Sequence, residues 1–257
     1  MNSKELYEAL ANHEGDARFS WFKHERHGYP PFIFNLMTGK DRALLYQWYT
    51  ETQEQWPYGD GASGFTTMST VAGFLLGSGI RSMVQCGHYV GFSTIVLGLV
   101  FRYMGIKNAM YSMDVHETAH EYTLKWVQRF GLGNYVHCVL RDSSDPANIV
   151  DARQYFSGSI ESVFIDSAHT YSHTVKEINI WWKEISPGGF MFLHDVSDIA
   201  KSYDVDNRGG VKLALLEHLD EFSCQAMLIN SKWKNGSIYT DPCGLGILQR
   251  PLGSSLV

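Results

Sequence analysis

The stretch with the clearest chemical content is Met83-Val84-Gln85-Cys86-Gly87-His88-Tyr89-Val90-Gly91-Phe92-Ser93-Thr94. A short apolar run ends at a glycine, turns through a second glycine and enters an apolar segment, the order of a strand, a glycine loop and a helix. Such a loop lets a ligand approach backbone N–H groups at a helix start. The spacing Gly87-x-x-x-Gly91 is neither G-x-G-x-x-G nor a P-loop, which needs a Lys-Ser/Thr pair. Acids recur where later apolar runs stop: Asp114, Asp142, Asp166 and the pair His194-Asp195. In an open parallel sheet the carboxyl ends of the strands form one rim, and ligands bind there. Asp114 follows the glycine loop at the distance where a carboxylate accepts ribose hydroxyls. Its other reading is a helix N-cap.

These residues need a scaffold of alternating strands and helices. Apolar runs predict strands at Ser82–Cys86, Ala109–Asp114, Val136–Leu140, Ser162–Asp166 and Phe190–His194. Amphipathic segments between them predict helices at Ser93–Tyr103, Thr118–Phe130, Pro146–Phe156 and Ser172–Ile185. That alternation implies an α/β fold, a mostly parallel sheet with helices on both faces. Pro187-Gly188-Gly189 reads as a turn before the fifth strand. A helix at Val211–Phe222 follows, then Gln225–Asn230 and Gly244–Gln249 as an antiparallel pair, for seven strands in all.

Residues 1–80 read as a helical, aromatic-rich extension and residues 81–257 as the ligand-binding domain. Ser3 is a candidate cap for a helix at Lys4–Ala11, Asp41 starts a helix through Gln53, Trp56 to Gly61 is a loop, and Ser63–Leu76 is a further helix. Phe19, Trp21, Phe22, Tyr29, Phe32 and Phe34 either pack on the core or form a lid or an oligomer surface.

Composition narrows the function. Hydrophobic residues make up 44%, enough for a buried core, and the formal charge of −6 argues against broad phosphate neutralisation on a nucleic acid. Cys86, Cys138, Cys224 and Cys243 form no C-x-x-C pair and read as reduced thiols. No run is long enough to span a bilayer and Met1–Gly15 has no apolar signal core, so a cytoplasmic location is the expectation.

The order of motifs resembles a class I S-adenosylmethionine-dependent methyltransferase. The resemblance rests on Gln85 to Thr94, Asp114, Arg141-Asp142-Ser143, Phe164-Ile165-Asp166-Ser167-Ala168-His169-Thr170-Tyr171, and Ser186-Pro187-Gly188-Gly189 through His194-Asp195. Within that class the chain is similar to small-molecule O-methyltransferases that include metal-dependent macrolide-sugar methyltransferases and, more distantly, cephalosporin hydroxylase-like proteins. The resemblance implies a Rossmann-like sheet. It implies that Gln85, Gly87, Gly91 and Ser93 line the methionine and ribose region, that Asp114 holds the ribose, and that Asp142 and Ser143 lie near the adenine. It places Asp166, beside the cofactor, together with His194 and Asp195 at a divalent-metal site, and His169 at the general base. Gln85 and His194 depart from the family, which has acids there.

Two carboxylates at the ends of adjacent strands suit Mg²⁺, whereas an imidazole ligand favours Mn²⁺ or Fe²⁺. A histidine with an ordinary pKa near ~6.5 is mostly neutral at cellular pH and accepts a proton. His173 is a rival for the base, one helical turn later. His88 reads either as a ligand contact or as a satisfied turn residue, and Trp181-Trp182 as helix packing. The expectation is methyl transfer to a hydroxyl of a small molecule, of sugar or natural-product type. The alternatives are C- or N-methylation or metal-dependent oxidation on the same fold, and a non-catalytic scaffold. No nucleic-acid or membrane partner is expected; a homo-oligomer is an open possibility.

Overall fold

Each apolar run ahead of a glycine loop or acid forms a strand, and its side chains divide between two layers. Met83 faces one side of the sheet while Val84 and Cys86 face the other, the period of two expected of extended chain. The computed structural model describes residues 32–56, 63–219, 221–222, 224–232 and 241–253. The helix at Lys4–Ala11, the aromatics from Phe19 to Tyr29 and most of the Trp56–Gly61 loop lie outside the described residues.

In chain order the elements are a 3-10 turn (Phe32–Leu36), α1 (Gly39–Gln55), α2 (Phe65–Ser78), β1 (Met83–Cys86), α3 (Phe92–Met104), β2 (Met110–Asp114), α4 (Glu117–Arg129) and β3 (Val136–Leu140). They continue with α5 (Asn148–Phe156), β4 (Ile160–Ile165), α6 (Tyr171–Trp181), β5 (Ile185–His194), α7 (Gly210–His218), β6 (Ala226–Ile229) and β7 (Leu245–Gln249). The sheet order is β3-β2-β1-β4-β5-β7-β6. β3, β2, β1, β4 and β5 run parallel, and β7 runs antiparallel to both β5 and β6. This is a Rossmann-like, mostly parallel, seven-stranded sheet whose order reverses between β1 and β4, where open α/β sheets bind ligands.

The expected adjacency of the fourth and fifth strands holds, with Ile165 opposite Leu193, so Asp166 and His194 leave the sheet side by side. Pro187-Gly188-Gly189 is not a turn but an irregularity inside β5. The register jumps from Ile160↔Ile185 to Ser162↔Phe190, and the strand bulges instead of ending. The helix predicted to reach Ile185 stops at Trp181 and tightens into a 3-10 turn.

Residues 32–80 share the core of the sheet. Trp48, Phe65 and Met68 pack in one apolar cluster with Val96 and Phe101 of α3, Trp126 of α4 and Phe192 of β5. Trp48 is fully buried, and its indole N–H donates to the Val90 carbonyl at 2.9 Å. Truncating such a side chain costs about 3–5 kcal/mol. Asp41 acts as the third residue of a capping box with Thr38, which starts α1 two residues earlier than the sequence suggests. The other face of the sheet is covered by α5, α6 and α7 through Ala152, Ile178, Trp181 and Ala214.

Candidate active site

The glycine loop joins β1 to α3 and packs against the end of β4. Gly87 has φ of 86°, and a Cβ there would meet the Asp166 carbonyl oxygen at 2.1 Å. Gly91 caps α3 with φ of 95°, and a Cβ there would press on the Thr123 side chain at 3.0 Å. The space beside Gly91 is therefore filled by α4. The two glycines satisfy packing between elements, and the expectation that the second clears a path for a ligand is corrected on this point.

The loop amides turn toward Asp114. Its Oδ2 accepts from the N–H of His88 at 2.9 Å and of Tyr89 at 2.7 Å, and its Oδ1 accepts from the N–H of His116 at 2.8 Å. The carboxylate sits at the tip of β2 and sets the shape of the loop.

Gln85 is fully buried. Its carbonyl oxygen accepts from Thr94 and Ser112 hydroxyls at 2.7 and 2.8 Å, and its amide donates to Ser93 Oγ at 2.7 Å. Gln85 and Ser93 thus bind each other and tie β1, β2 and α3 together beneath the loop. His88 is buried, with Nδ1 3.0 Å from Ser112 Oγ and Nε2 3.2 Å from His120 Nδ1. Burial drives its pKa down to about 4, against the pull of Asp114, so the ring is neutral. His88 is a satisfied turn residue.

After β3, Asp142 is exposed and caps its own turn through the Ser144 N–H at 2.8 Å, whereas Ser143 is buried. The Ser143 hydroxyl donates to Glu177, a fully buried acid of α6 that also accepts from Ser167 at 2.8 Å. Asp142 is thus on the rim and Ser143 turned inward. His173 sits 3.3 Å from Glu177 and does not share a site with His169.

The reactive residues converge beyond β4 and β5. Asp166, His169 and Asp195 each offer a donor atom, all within 4.8 Å of one another. His169 Nδ1 lies 2.7 Å from Asp195 Oδ2, yet both atoms are buried and neither has a hydrogen bond of acceptable geometry. The backbone is left-handed at both residues, φ 58° at His169 and 64° at Asp195. Such strain persists where surrounding structure holds it, and it clusters at functional sites.

His194 takes a different place from the one expected. Its Nδ1 lies 3.1 Å from Asp166 Oδ1 and its Nε2 2.9 Å from Asp241 Oδ2. Carboxylates accept hydrogen bonds, so both ring nitrogens carry protons. Burial opposes the charge, but Asp195, Asp241 and Asp166 outweigh it and hold the pKa well above the ordinary histidine value. An imidazolium has no lone pair for a metal. The expected grouping of Asp166, His194 and Asp195 differs from the one the structure brings together: Asp166, His169 and Asp195 meet, and His194 stands behind them between Asp166 and Asp241. His194 also groups with Asp241 and Cys243, but Asp241 Oδ2 already accepts from Thr67 at 2.5 Å and Gly64 at 3.2 Å.

Burial raises the carboxyl pKa of Asp195, but His194 and His169 overcome it and hold the group well below its usual range. His169 is shifted upward: burial works against the charged ring, and Asp195 wins. The donor set fits a divalent cation, because two carboxylates and an imidazole meet around a close N···O pair with no hydrogen bond between them. Ser63, whose hydroxyl donates to Asp166 Oδ2 at 2.8 Å, and Asp241 were not found from sequence. They arrive from distant loops and carry no local motif.

Comparison with known proteins agrees with the fold. Residues 84–196 match the family model described as a methyltransferase domain. No curated protein sequence matches the chain. Among solved structures, an S-adenosylhomocysteine-bound methyltransferase from Podospora anserina, PaMTH1, superposes with a TM-score of 0.64 at 11% identity, covering 97% of each chain. An O-methyltransferase from Bacillus cereus in complex with S-adenosylhomocysteine gives 0.62 at 14% identity, covering 85% of this chain and 95% of that one. TomG from Streptomyces achromogenes, an O-methyltransferase of tomaymycin synthesis in complex with S-adenosylmethionine, gives 0.60 at 12% identity, over 81% and 89%. The match over residues 84–196 and these superpositions agree on a Rossmann-like methyltransferase fold, with the sheet order described above.

Proposed function

We propose that this protein transfers the methyl group of S-adenosylmethionine to a hydroxyl of a small molecule, of sugar or natural-product type. The observation that carries this reading is the meeting of Asp166, His169 and Asp195 on the carboxyl rim, next to the glycine loop. The O-methyltransferases from B. cereus and S. achromogenes share the fold and support hydroxyl transfer by analogy.

Asp114 would hold the ribose with the lone pairs left free by the loop amides, and Asp142, exposed on the rim, would lie near the adenine. S-adenosylmethionine supplies a methyl carbon on a sulfonium, ready for attack by an oxygen nucleophile. Asp195, whose Oδ2 stands 2.7 Å from His169 Nδ1, would orient the ring from that side. His169 then accepts the acceptor hydroxyl's proton on Nε2 while the oxygen is directed at the methyl carbon. Asp166, His169 and Asp195 are the residues that would hold a divalent metal. A metal there would supply Lewis acidity that lowers the hydroxyl pKa, and the imidazole favours Mn²⁺ or Fe²⁺ over Mg²⁺. The unbonded His169–Asp195 pair favours a second reading, in which His169 serves as ligand and not as base.

The test is transfer of a labelled methyl group to a panel of sugar, phenol and polyketide alcohols, with calorimetry of S-adenosylhomocysteine in parallel. Methylated oxygen in the product supports the reading. Methylated nitrogen or carbon, or binding without transfer to any acceptor, moves the assignment to the corresponding alternative.

A further inference from the structure

Asp204 lies in the connection from β5 to α7 and is buried. Its Oδ2 accepts from the N–H groups of Arg208 and Gly209 at 2.9 Å and of Gly210 at 2.8 Å. Its Oδ1 accepts from Asp206 N–H at 3.1 Å and, across the fold, from Tyr171 N–H at 3.1 Å. One carboxylate thus meets the first residue of α6 and the first residue of α7. An ordinary N-cap serves its own helix two or three residues on, whereas Asp204 reaches 33 residues back. Two further contacts repeat this cross-link. Asp206 accepts from the Ser172 N–H at 3.0 Å, and the Arg208 guanidinium lies 3.8 Å from the centre of the Tyr171 ring.

The anchored backbone is the one that carries His169. Tyr171 stands two residues after His169, whose left-handed conformation needs external support. Tyr203, immediately before Asp204, is half exposed and sets its ring 6.1 Å from the His169 ring at 63°. The connection from β5 to α7 is therefore fastened at Asp204 between His169 on one side and Tyr203 on the other.

We propose that Asp204 is a positioning residue of the methyl-transfer site, fixing His169 and Tyr203 relative to each other and so setting how an acceptor hydroxyl meets the His169 ring. The inference rests on the function proposed above for His169. The cross-link can be removed without touching the carboxylate. Thr170 is extended, with φ of −86° and ψ of 146°, and Tyr171 is the first residue of α6. Both conditions accept a proline at 171, which deletes only the N–H that Asp204 binds, apart from the ring. Tyr171→Ala controls for loss of the ring.

The test compares Tyr171→Pro, Tyr171→Ala and Asp204→Asn in steady-state kinetics with whichever acceptor the panel identifies, and follows the His169 ring resonances by NMR, assigned with His169→Asn. Tyr171→Pro should lose kcat on the order of 10–100-fold relative to Tyr171→Ala, with KM for S-adenosylmethionine within about twofold. It should also displace the His169 ring resonances, which Tyr171→Ala leaves near their wild-type positions. Asp204→Asn, where it folds, should follow Tyr171→Pro. Equal kcat and unmoved resonances in Tyr171→Pro and Tyr171→Ala would reduce Asp204 to a helix cap and overturn the proposal. If wild-type protein methylates no acceptor, the functional reading fails, while the resonances still decide the role of Asp204.

Discussion

His194 Nε2 lies 2.9 Å from Asp241 Oδ2, although the two residues are 47 positions apart. Asp241 in turn accepts from Gly64 and Thr67, at the start of α2. A buried cation thus joins the end of β5 to the N-terminal helices. Breaking a buried pair by removing one partner leaves an uncompensated charge and costs about 3–5 kcal/mol. Asp241→Asn should lower unfolding stability by an amount of that order, measured by urea denaturation at neutral pH. A loss below about 1 kcal/mol would show that the pair is not the junction described here.

The same cluster sets a pH window for stability. The His194 pKa is raised by folding, so its contribution is complete below the unfolded value near ~6.5 and is lost as pH rises through the folded value. Asp195 and Asp241 are depressed, so theirs is present above the unfolded value near ~3.9 and is lost as pH falls through the folded ones. Stability from this cluster should be greatest between about pH 4 and 6.5. His194→Gln should reduce the alkaline decline, with the part due to His169 remaining, as read from denaturation midpoints across pH.

His169 is held above the ordinary histidine range by Asp195, against the effect of burial. A base must be neutral to accept a proton, so turnover should rise with pH through an ionisation above ~6.5. His169→Ala should slow turnover on the order of 10²–10⁴-fold and abolish that limb, with S-adenosylhomocysteine affinity near wild type. Recovery of activity on adding metal to the variant would transfer His169 from base to ligand.

Asp166→Ala and Asp195→Ala should each remove turnover while leaving S-adenosylhomocysteine binding near wild type, because a metal held by these acids and His169 would serve the acceptor hydroxyl. Chelation should abolish activity, and Mn²⁺ should restore it better than Mg²⁺. Full activity after exhaustive chelation would rule out a metal role, and calorimetry with Mn²⁺ on the unliganded protein provides an independent reading.

Asp114→Ala should weaken S-adenosylhomocysteine binding on the order of 10–100-fold, since hydrogen bonds to a charged group are worth about 1.5–3 kcal/mol. Part of the loss reflects the glycine loop, whose His88 and Tyr89 N–H groups lose their acceptor. An S-adenosylhomocysteine analogue lacking the ribose hydroxyls separates the two effects. Removing the hydroxyls should weaken binding to wild type and change little in the variant; an equal loss in both would deny Asp114 the ribose.

Sequence alone determined the sheet, the glycine loop and the acids on the rim. Alternating apolar runs and strand-end acids are local signals, and a parallel sheet places every such end on one side. Strand parity also decides a face: Phe190 and Phe192 lie in the cluster shared with α1 to α4, and the alternate residues Met191 and Leu193 in the other. Parity could not say which histidine joins Asp166 and Asp195. That depended on left-handed turns at His169 and Asp195, a conformation that Asp and His enter more often than most residues but that no local pattern assigned to these two. It depended also on Ser63 and Asp241, brought in across 103 and 47 positions of chain to occupy Asp166 and His194. Only tertiary structure decided that His194 is a buried cation, because its neighbour Asp195 is joined there by Asp166 and Asp241, which the sequence keeps far from it.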